Sequence, residues 1–186
     1  MIQYNLICKK AAALKRKFGT ADVYKLSNNM GITLLKQNLG NSQDSIKGFF
    51  IEHCRIKTIV LNADLPEVLQ RIIVAHELGH ALMHKASGVH AFHEVSMFDE
   101  TSTAEKEANL FAAELLLEDN EVLDALNRDM TFFSAASVLM VPMELLDFKF
   151  RVLKWKGYCL MESPIQAKST FLKDISVTEN VDDHIC

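Results

Sequence analysis

Two histidines and a glutamate form an H-E-x-x-H pattern in the run His76-Glu77-Leu78-Gly79-His80. On an α-helix, residues four apart lie about 40° apart around the axis, so both imidazoles project from one face and can bind one ion. Glu77 flanks that face, where its carboxylate can contact a water beside the ion without binding the ion. Zinc with three protein ligands acidifies such a water, and a nearby carboxylate can pass the proton to a leaving amine. The pattern predicts His76 and His80 as zinc ligands, Glu77 as general base, and peptide hydrolysis as the reaction.

The helix that carries this pattern is predicted over residues 65–85, and its middle is apolar on almost every side. Asp64 stands before Pro66, with Glu67 three residues after Asp64, which predicts an N-cap at Asp64. A structural role for the histidines is the alternative, because isolated histidines on apolar helices are usually core residues with one hydrogen bond. Two histidines and a glutamate on the most apolar helix would be costly to bury without a shared partner, which favours the metal site.

The third ligand is expected among four glutamates near the next predicted helix, residues 103–117, namely Glu105, Glu107, Glu114 and Glu118. At about 100° per residue, the last three lie on one stripe that resembles an ordinary solvated carboxylate face. Glu105 lies on the opposite side with several small alanines, which would let this helix approach the histidine helix closely. A short bond between metal and carboxylate requires such an approach. We therefore predict Glu105 as the third ligand, with Glu107 as the alternative.

Four further residues could support the site. Asn109 lies one turn beyond Glu105, where its side chain could hydrogen-bond a ligand or its neighbour, and capping of a backbone kink is the alternative. His84 continues the histidine face but would exceed the ligand count, so we predict a structural role or a hydrogen bond to a ligand. His90 and His93 fall in a predicted loop and could stabilise an oxyanion, although solvent-exposed loop histidines are the simpler interpretation.

The remaining patterns predict an α+β fold that is mainly helical, with a small antiparallel β-sheet before the H-E-x-x-H helix. That sheet is predicted from residues 47–53 and 55–62, and another strand from residues 32–36. We expect one metallopeptidase domain at 1–160, with a helical C-terminal subdomain at about 120–157, and a polar, loosely attached tail at 161–186. Besides 65–85 and 103–117, helices are predicted at 5–18, 21–29, 120–127, 132–139 and 142–156.

Composition places the chain among ordinary soluble globular proteins, since 49% of its residues are hydrophobic and 24% are charged. A net charge of −4 provides no basic field, so direct binding to nucleic acid is not expected. We expect no secretory signal and no membrane span, because polar residues interrupt even the most apolar window. Reduced thiols and a cytoplasmic location are expected, because no paired spacing relates Cys8, Cys54, Cys159 and Cys186.

Two motifs are specific when taken together: residues 74–84 (VAHELGHALMH) and residues 105–116 (EKEANLFAAELL). With shorter matches at residues 19–20, 47–50 and 59–62, they resemble the ImmA/IrrE family of metallo-endopeptidases. The resemblance implies a gluzincin-like zinc peptidase with a zincin-like domain. It further implies that two histidines and the glutamate four residues before the asparagine bind zinc, which matches His76, His80 and Glu105.

The resemblance also implies a regulatory function. Such peptidases are typically encoded by bacteria or their mobile elements, and they cleave a helix-turn-helix repressor and so relieve transcriptional repression. A DNA-binding repressor is therefore the expected protein substrate and partner. Two alternatives are a non-proteolytic module that keeps zinc structurally and sequesters a regulator, and direct DNA binding through residues 132–156. Apolar and aromatic residues in that stretch favour packing over DNA binding.

Overall fold

A computed structural model describes residues 2–42, 44–84, 103–126 and 130–174 of the 186-residue chain. His90 and His93 lie outside these residues. The predicted α+β class is confirmed, and each predicted helix and strand is found within two residues of its expected ends. The elements are α1 (Tyr4–Phe18), α2 (Val23–Asn29), β1 (Ile32–Gln37), β2 (Gly48–His53), β3 (Ile56–Asn62), α3 (Glu67–Met83), α4 (Thr103–Leu116), α5 (Asp119–Leu126), α6 (Phe132–Val138), α7 (Met143–Trp155) and α8 (Phe171–Asp174).

The three strands form one sheet in the order β1-β3-β2. β2 and β3 make the predicted antiparallel hairpin, whose turn residues Cys54 and Arg55 both have positive φ, as in the tight primed turns of hairpins. β1 pairs with β3 in parallel, so the sheet is mixed, whereas an antiparallel sheet was expected. The difference arises because a strand pattern indicates burial and length but not the direction of a neighbouring strand.

α3 runs through the interior of the domain, as its apolar pattern predicted. Residues 72–80 are all buried, and the sheet and α4 both pack against this helix. The predicted N-cap is wrong, because Pro66 occupies the N-cap position. The Asp64 carboxylate instead accepts hydrogen bonds from the Asn38 side chain and the Gly40 backbone N–H, so the loop after β1 engages it.

α3 and α4 approach each other closely at Gly79 and Ala108. A β-carbon added to Gly79 would lie 3.0 Å from the Cα and 3.3 Å from the Cβ of Ala108. Ordinary carbon contacts are about 3.5–4.0 Å, so a glycine is needed for this approach. The prediction that small residues let the two helices pack closely is confirmed.

Replacing Gly79 with alanine is expected to destabilise the protein. In an ordinary helix interior, alanine would be favoured over glycine by about 1 kcal/mol. Here the added methyl group meets the backbone of α4, which cannot rotate away, and overpacking of this kind costs about 1–3 kcal/mol. We therefore expect a net loss in the free energy of unfolding, measured by urea denaturation. A Gly79→Ala variant more stable than the wild type would contradict the close helix contact.

α7 packs against α4, and its cations contact carboxylates. Phe148 is fully buried, in agreement with the packing interpretation of this stretch. Lys149 is also buried, with Nζ 2.6 Å from both Glu114 and Asp119, and Lys156 contacts the same two carboxylates. The other cations of the helix are paired as well, Arg151 with Asp147 and Lys154 with Glu162.

Residues 163–174 pack against the domain, which differs from the loosely attached tail expected from their polar sequence. Ala167, Phe171 and Leu172 are buried in the core, and the centroids of the Phe148 and Phe171 rings are 5.6 Å apart. A few apolar residues among polar neighbours have no recognisable period, so neither this packing nor α8 was predicted. The expected boundaries of the domain and of its helical subdomain stay predictions.

Two further expectations concern cysteines and membrane segments. Cys8, Cys54 and Cys159 are free thiols, and Cys186 lies outside the described residues. Among the helices of the described ranges, none has both the length and the apolar character needed to cross a bilayer.

Candidate metal centre

Side chains from α3 and α4 converge on one point. His76 and His80 lie one turn apart on α3, and their Nε2 atoms are 3.0 Å apart. Glu105, in the first turn of α4, places Oε2 3.2 Å from His76 Nε2 and Oε1 3.4 Å from His80 Nε2. The two rings are almost fully buried, and the Glu105 side chain is 12% exposed. One potential ligand atom from each of the three residues lies within 4.8 Å of the others.

The separations and the chemistry of these donors fit a zinc ion. Four ligands at about 2.0–2.2 Å from a tetrahedral zinc ion lie about 3.3–3.6 Å from one another. The three observed separations, 3.0, 3.2 and 3.4 Å, are close to that range, although the two that involve Glu105 are measured to different oxygens of its carboxylate. Two imidazole nitrogens and one carboxylate oxygen are also donors that zinc accepts, and they leave a fourth position. The cluster can therefore hold a zinc ion with little movement of its side chains.

Glu105 and the alternative ligand Glu107 have different surroundings. Glu105 faces the two histidines, whereas Glu107 Oε1 accepts a hydrogen bond from the backbone N–H of Gln3 at 3.1 Å. Glu107 Oε2 lies 3.4 Å from Nε2 of His84. Among the described residues, the three-donor cluster contains Glu105 and not Glu107.

The three glutamates that were predicted to form a solvated face are not all exposed, so that prediction is wrong for two of them. Glu107 and Glu114 are buried, and Glu118 remains exposed. The cause is tertiary packing, because α1 and α7 both cover this side of α4. Helical spacing placed the three glutamates on one side correctly, but it could not show that cations and an N–H group from other parts of the fold would face them.

Asn109 orients the ring of His76. Its Nδ2 donates a hydrogen bond to the carbonyl oxygen of Ser169 at 2.6 Å, so its Oδ1 must be the atom that faces Nδ1 of His76 at 2.8 Å. An amide oxygen only accepts, and therefore Nδ1 of His76 carries the proton. In the neutral ring, the lone pair is then on Nε2, which points into the three-donor cluster.

His84 makes a corresponding contact with His80. Its Nδ1 lies 3.2 Å from Nδ1 of His80, and its Nε2 lies 3.4 Å from the Glu107 carboxylate. Burial is the largest effect on the pKa of His84, and it lowers that pKa below the ordinary value. A neutral His84 that directs Nε2–H towards Glu107 accepts a hydrogen bond from Nδ1–H of His80, which leaves Nε2 of His80 for the cluster. No sequence pattern predicted that Glu107 would contact His84.

Comparison with known proteins identifies the family. The chain matches the IrrE N-terminal-like domain, Peptidase M78, over residues 28–151, which include α3 and α4. The chain belongs to the Peptidase M78 family. It is 34% identical over 146 residues to the uncharacterized immunity region protein 2 of Bacillus phage phi105, covering 78% of this chain and 90% of that protein. It is 28% identical over 145 residues to metallopeptidase ImmA of Bacillus subtilis strain 168, covering 75% of this chain and 81% of that protein.

Membership in the M78 family confirms the resemblance to ImmA/IrrE metallopeptidases and the expected enzyme class. The matched range contains the H-E-x-x-H helix, Glu105 and Asn109. The roles of the individual residues stay predictions, to which the geometry above adds support.

The electrostatics of this M78 site favour an ionised Glu105. Burial raises the pKa of this carboxyl, but contacts with His76 and His80 outweigh burial and hold the pKa far below its ordinary value. Burial lowers the pKa of His76, whereas Glu105, Glu77 and Asn109 together raise it above the ordinary value. A proton on His76 can thus compensate the buried Glu105 charge, and a bound cation would replace that proton.

Glu77 lies near the cluster without being one of its members. Its side chain is 1% exposed, and its charge contributes to the raised pKa of His76. Within the described parts of the chain, the cluster of potential ligands consists of His76, His80 and Glu105. A buried carboxylate that is close to the ligands but not among them agrees with the predicted role of general base.

Zinc affinity is expected to fall as the pH is lowered. Because the pKa of His76 is raised above 6.5, the metal-free protein holds a proton that zinc must displace already above that pH. Below the raised pKa, each pH unit should weaken the apparent affinity by about tenfold for one displaced proton. Competition with a chelator of known protonation constants would measure this slope. An affinity that stays constant between about pH 8 and about pH 5 would contradict it.

Proposed function

We propose that this M78 chain is a zinc-dependent endopeptidase that hydrolyses a peptide bond in a protein substrate, namely a helix-turn-helix transcriptional repressor. The observation that carries the proposal is the convergence of His76, His80 and Glu105 on one point, with Glu77 buried beside them. This arrangement has the donor set of a catalytic zinc site rather than of a closed structural site, because only three protein ligands are present among the described residues.

Zinc would be held by Nε2 of His76, Nε2 of His80 and the carboxylate of Glu105. When bound, it would supply a Lewis acid that acidifies water and polarises the substrate carbonyl. Glu77 would take a proton from the attacking water and deliver it to the leaving amine. Asn109 and His84 would hold the two imidazole rings in the orientation that directs both Nε2 atoms inward, as described above.

The proposed substrate class comes from the resemblance to the ImmA/IrrE family. One relative is named as an immunity region protein of a phage, which agrees with the expected origin in a mobile element. The other is named metallopeptidase ImmA. A repressor is a protein and works in the cytoplasm, where we expect this chain to act. The cations of α7 are engaged by carboxylates, which argues for action on the repressor itself rather than on its DNA.

The proposal is tested by incubating the zinc-loaded protein with a helix-turn-helix repressor from the same genome. Mass spectrometry of the products should find cleavage at one or a few defined bonds, and removal of zinc with a chelator should prevent it. A repressor that stays intact but forms a stable complex, with relief of repression, would favour sequestration without proteolysis. Cleavage that continues in the metal-free protein would contradict the metallopeptidase mechanism.

A further inference from the structure

Residues 163–174, here called the strap, are tied to α4 and α7 by hydrogen bonds to their main chain. The backbone N–H of Ala167 donates to Asp147 Oδ2 at 3.0 Å, and Arg151 Nη2 donates to the Ala167 carbonyl at 2.9 Å. Nδ2 of Asn109 donates to the Ser169 carbonyl at 2.6 Å. The strap follows the range matched by the M78 family, residues 28–151.

The strap is also anchored by apolar packing at its C-terminal end. Phe171 is 5% exposed and contacts the Phe148 ring, while the guanidinium of Arg151 lies over the same ring at 4.6 Å from its centroid. Asp147, which accepts the Ala167 N–H, is itself buried. The Ser169 carbonyl is therefore held in place by neighbours on both sides along the strap.

Asn109 connects the strap to a predicted metal ligand. It is fully buried, and its amide joins the Ser169 carbonyl on one side to Nδ1 of His76 on the other. If the carbonyl were absent, the amide could rotate by 180° about its terminal bond and direct its NH₂ group at His76. That orientation would favour the other tautomer, with the proton on Nε2, which cannot bind a metal.

We propose that the strap is a positioning segment for the metal centre, in which the Ser169 carbonyl sets the Asn109 amide and thereby keeps Nε2 of His76 available to zinc. This inference rests on the metal centre of the proposed function and adds a segment outside the matched family range to it. The strap touches neither substrate nor metal in this role, because it acts through Asn109.

The test is a double-mutant cycle read as zinc affinity. Ala167→Pro removes the N–H that Asp147 accepts and should loosen the strap in the full-length chain. Asn109→Ala removes the connection to His76. Each single variant should weaken zinc binding by about 10-fold to 100-fold, as the loss of partners that orient ligands commonly does. In the Asn109→Ala background, Ala167→Pro should have no further effect.

The matched control is Lys168→Ala, which changes an exposed strap residue and should leave zinc affinity unchanged. If Ala167→Pro lowers zinc affinity equally in the wild-type and Asn109→Ala backgrounds, the strap only stabilises the fold. That result would overturn the proposal. An unchanged affinity in a folded Ala167→Pro variant would overturn it as well.

A second variant keeps the test decisive if Ala167→Pro does not fold. Asn109→Asp can still accept a hydrogen bond from Nδ1–H of His76, but it cannot donate to the Ser169 carbonyl. Hydrogen exchange in residues 163–174 should therefore increase in the metal-free variant, while zinc affinity stays within about threefold of wild type. Unchanged exchange in the strap would overturn the proposal.

The failures of the two proposals are distinguishable. A wild-type protein that binds no zinc would overturn the metal centre, and the role of the strap with it. A wild-type protein that binds zinc, with variants that show no coupling between Asn109 and the strap, would overturn the role of the strap alone.

Discussion

Replacing Glu77 with glutamine is expected to lower the rate of repressor cleavage by about 10²–10⁴-fold, the usual contribution of a general acid–base group. Glutamine has nearly the same shape but cannot accept a proton, so the change removes proton transfer and little else. Because Glu77 is not one of the three converging donors, the variant should still bind one zinc ion per chain. Cleavage rates and zinc content measured on the same preparation would separate the two properties.

The matched control for this experiment is Glu67→Gln, a substitution of an exposed residue in the first turn of the same helix, α3. It should leave both cleavage and zinc content unchanged. Cleavage at the wild-type rate by a zinc-loaded Glu77→Gln protein would exclude Glu77 as the base. Relief of repression that survives in Glu77→Gln without cleavage would support the sequestering module instead.

Replacing Glu105 with glutamine is expected to weaken zinc binding by more than about 100-fold. Loss of a partner that only orients a ligand costs about 10–100-fold, and Glu105 is predicted to bind the ion itself. The anionic form of Glu105 also compensates the positive charge of the ion, which a neutral amide cannot do. Competition titration with a zinc chelator would measure the affinity, and circular dichroism would verify the fold.

Glu107 and Glu118 provide two comparisons for that variant. Glu107→Gln keeps one carbonyl oxygen, which can accept the hydrogen bond from either the Gln3 N–H or His84 but not from both. Because this change removes no predicted zinc ligand, its effect on affinity should be at least about tenfold smaller. Glu118→Gln affects an exposed residue that pairs with Lys15 and should have no effect on zinc binding. A larger loss in Glu107→Gln than in Glu105→Gln would reverse the assignment of the third ligand.

The local part of the site could be predicted from sequence because helical spacing alone determines it. His76 and His80 lie on the same face of a helix wherever that helix is placed in a fold. The apolar residues around the motif indicated that the helix is buried. Glu105 was selected by the same geometry, together with the small residues beside it, and the contact between Gly79 and Ala108 agrees with that reasoning. These inferences needed no long-range information.

The parts that could not be predicted depend on contacts between distant segments. Nothing local indicates that Glu107 would receive the N–H of Gln3, or that Asp64 would bind the loop after β1 instead of capping α3. The parallel pairing of β1 with β3 and the packing of the strap also depend on contacts between segments that are distant in the sequence. In each case a polar residue or strand edge had several possible partners, and tertiary structure selected one.

Two imidazoles and one carboxylate from α3 and α4 are proposed to bind a common zinc ion. Zinc X-ray absorption spectroscopy on the purified protein, combined with anomalous diffraction from crystals, tests it most directly. We expect one zinc per chain, with Nε2 of His76, Nε2 of His80 and an oxygen of Glu105 at about 2.0–2.2 Å from the ion. Zinc bound elsewhere, or at the two histidines with Glu105 beyond about 3 Å, would contradict it.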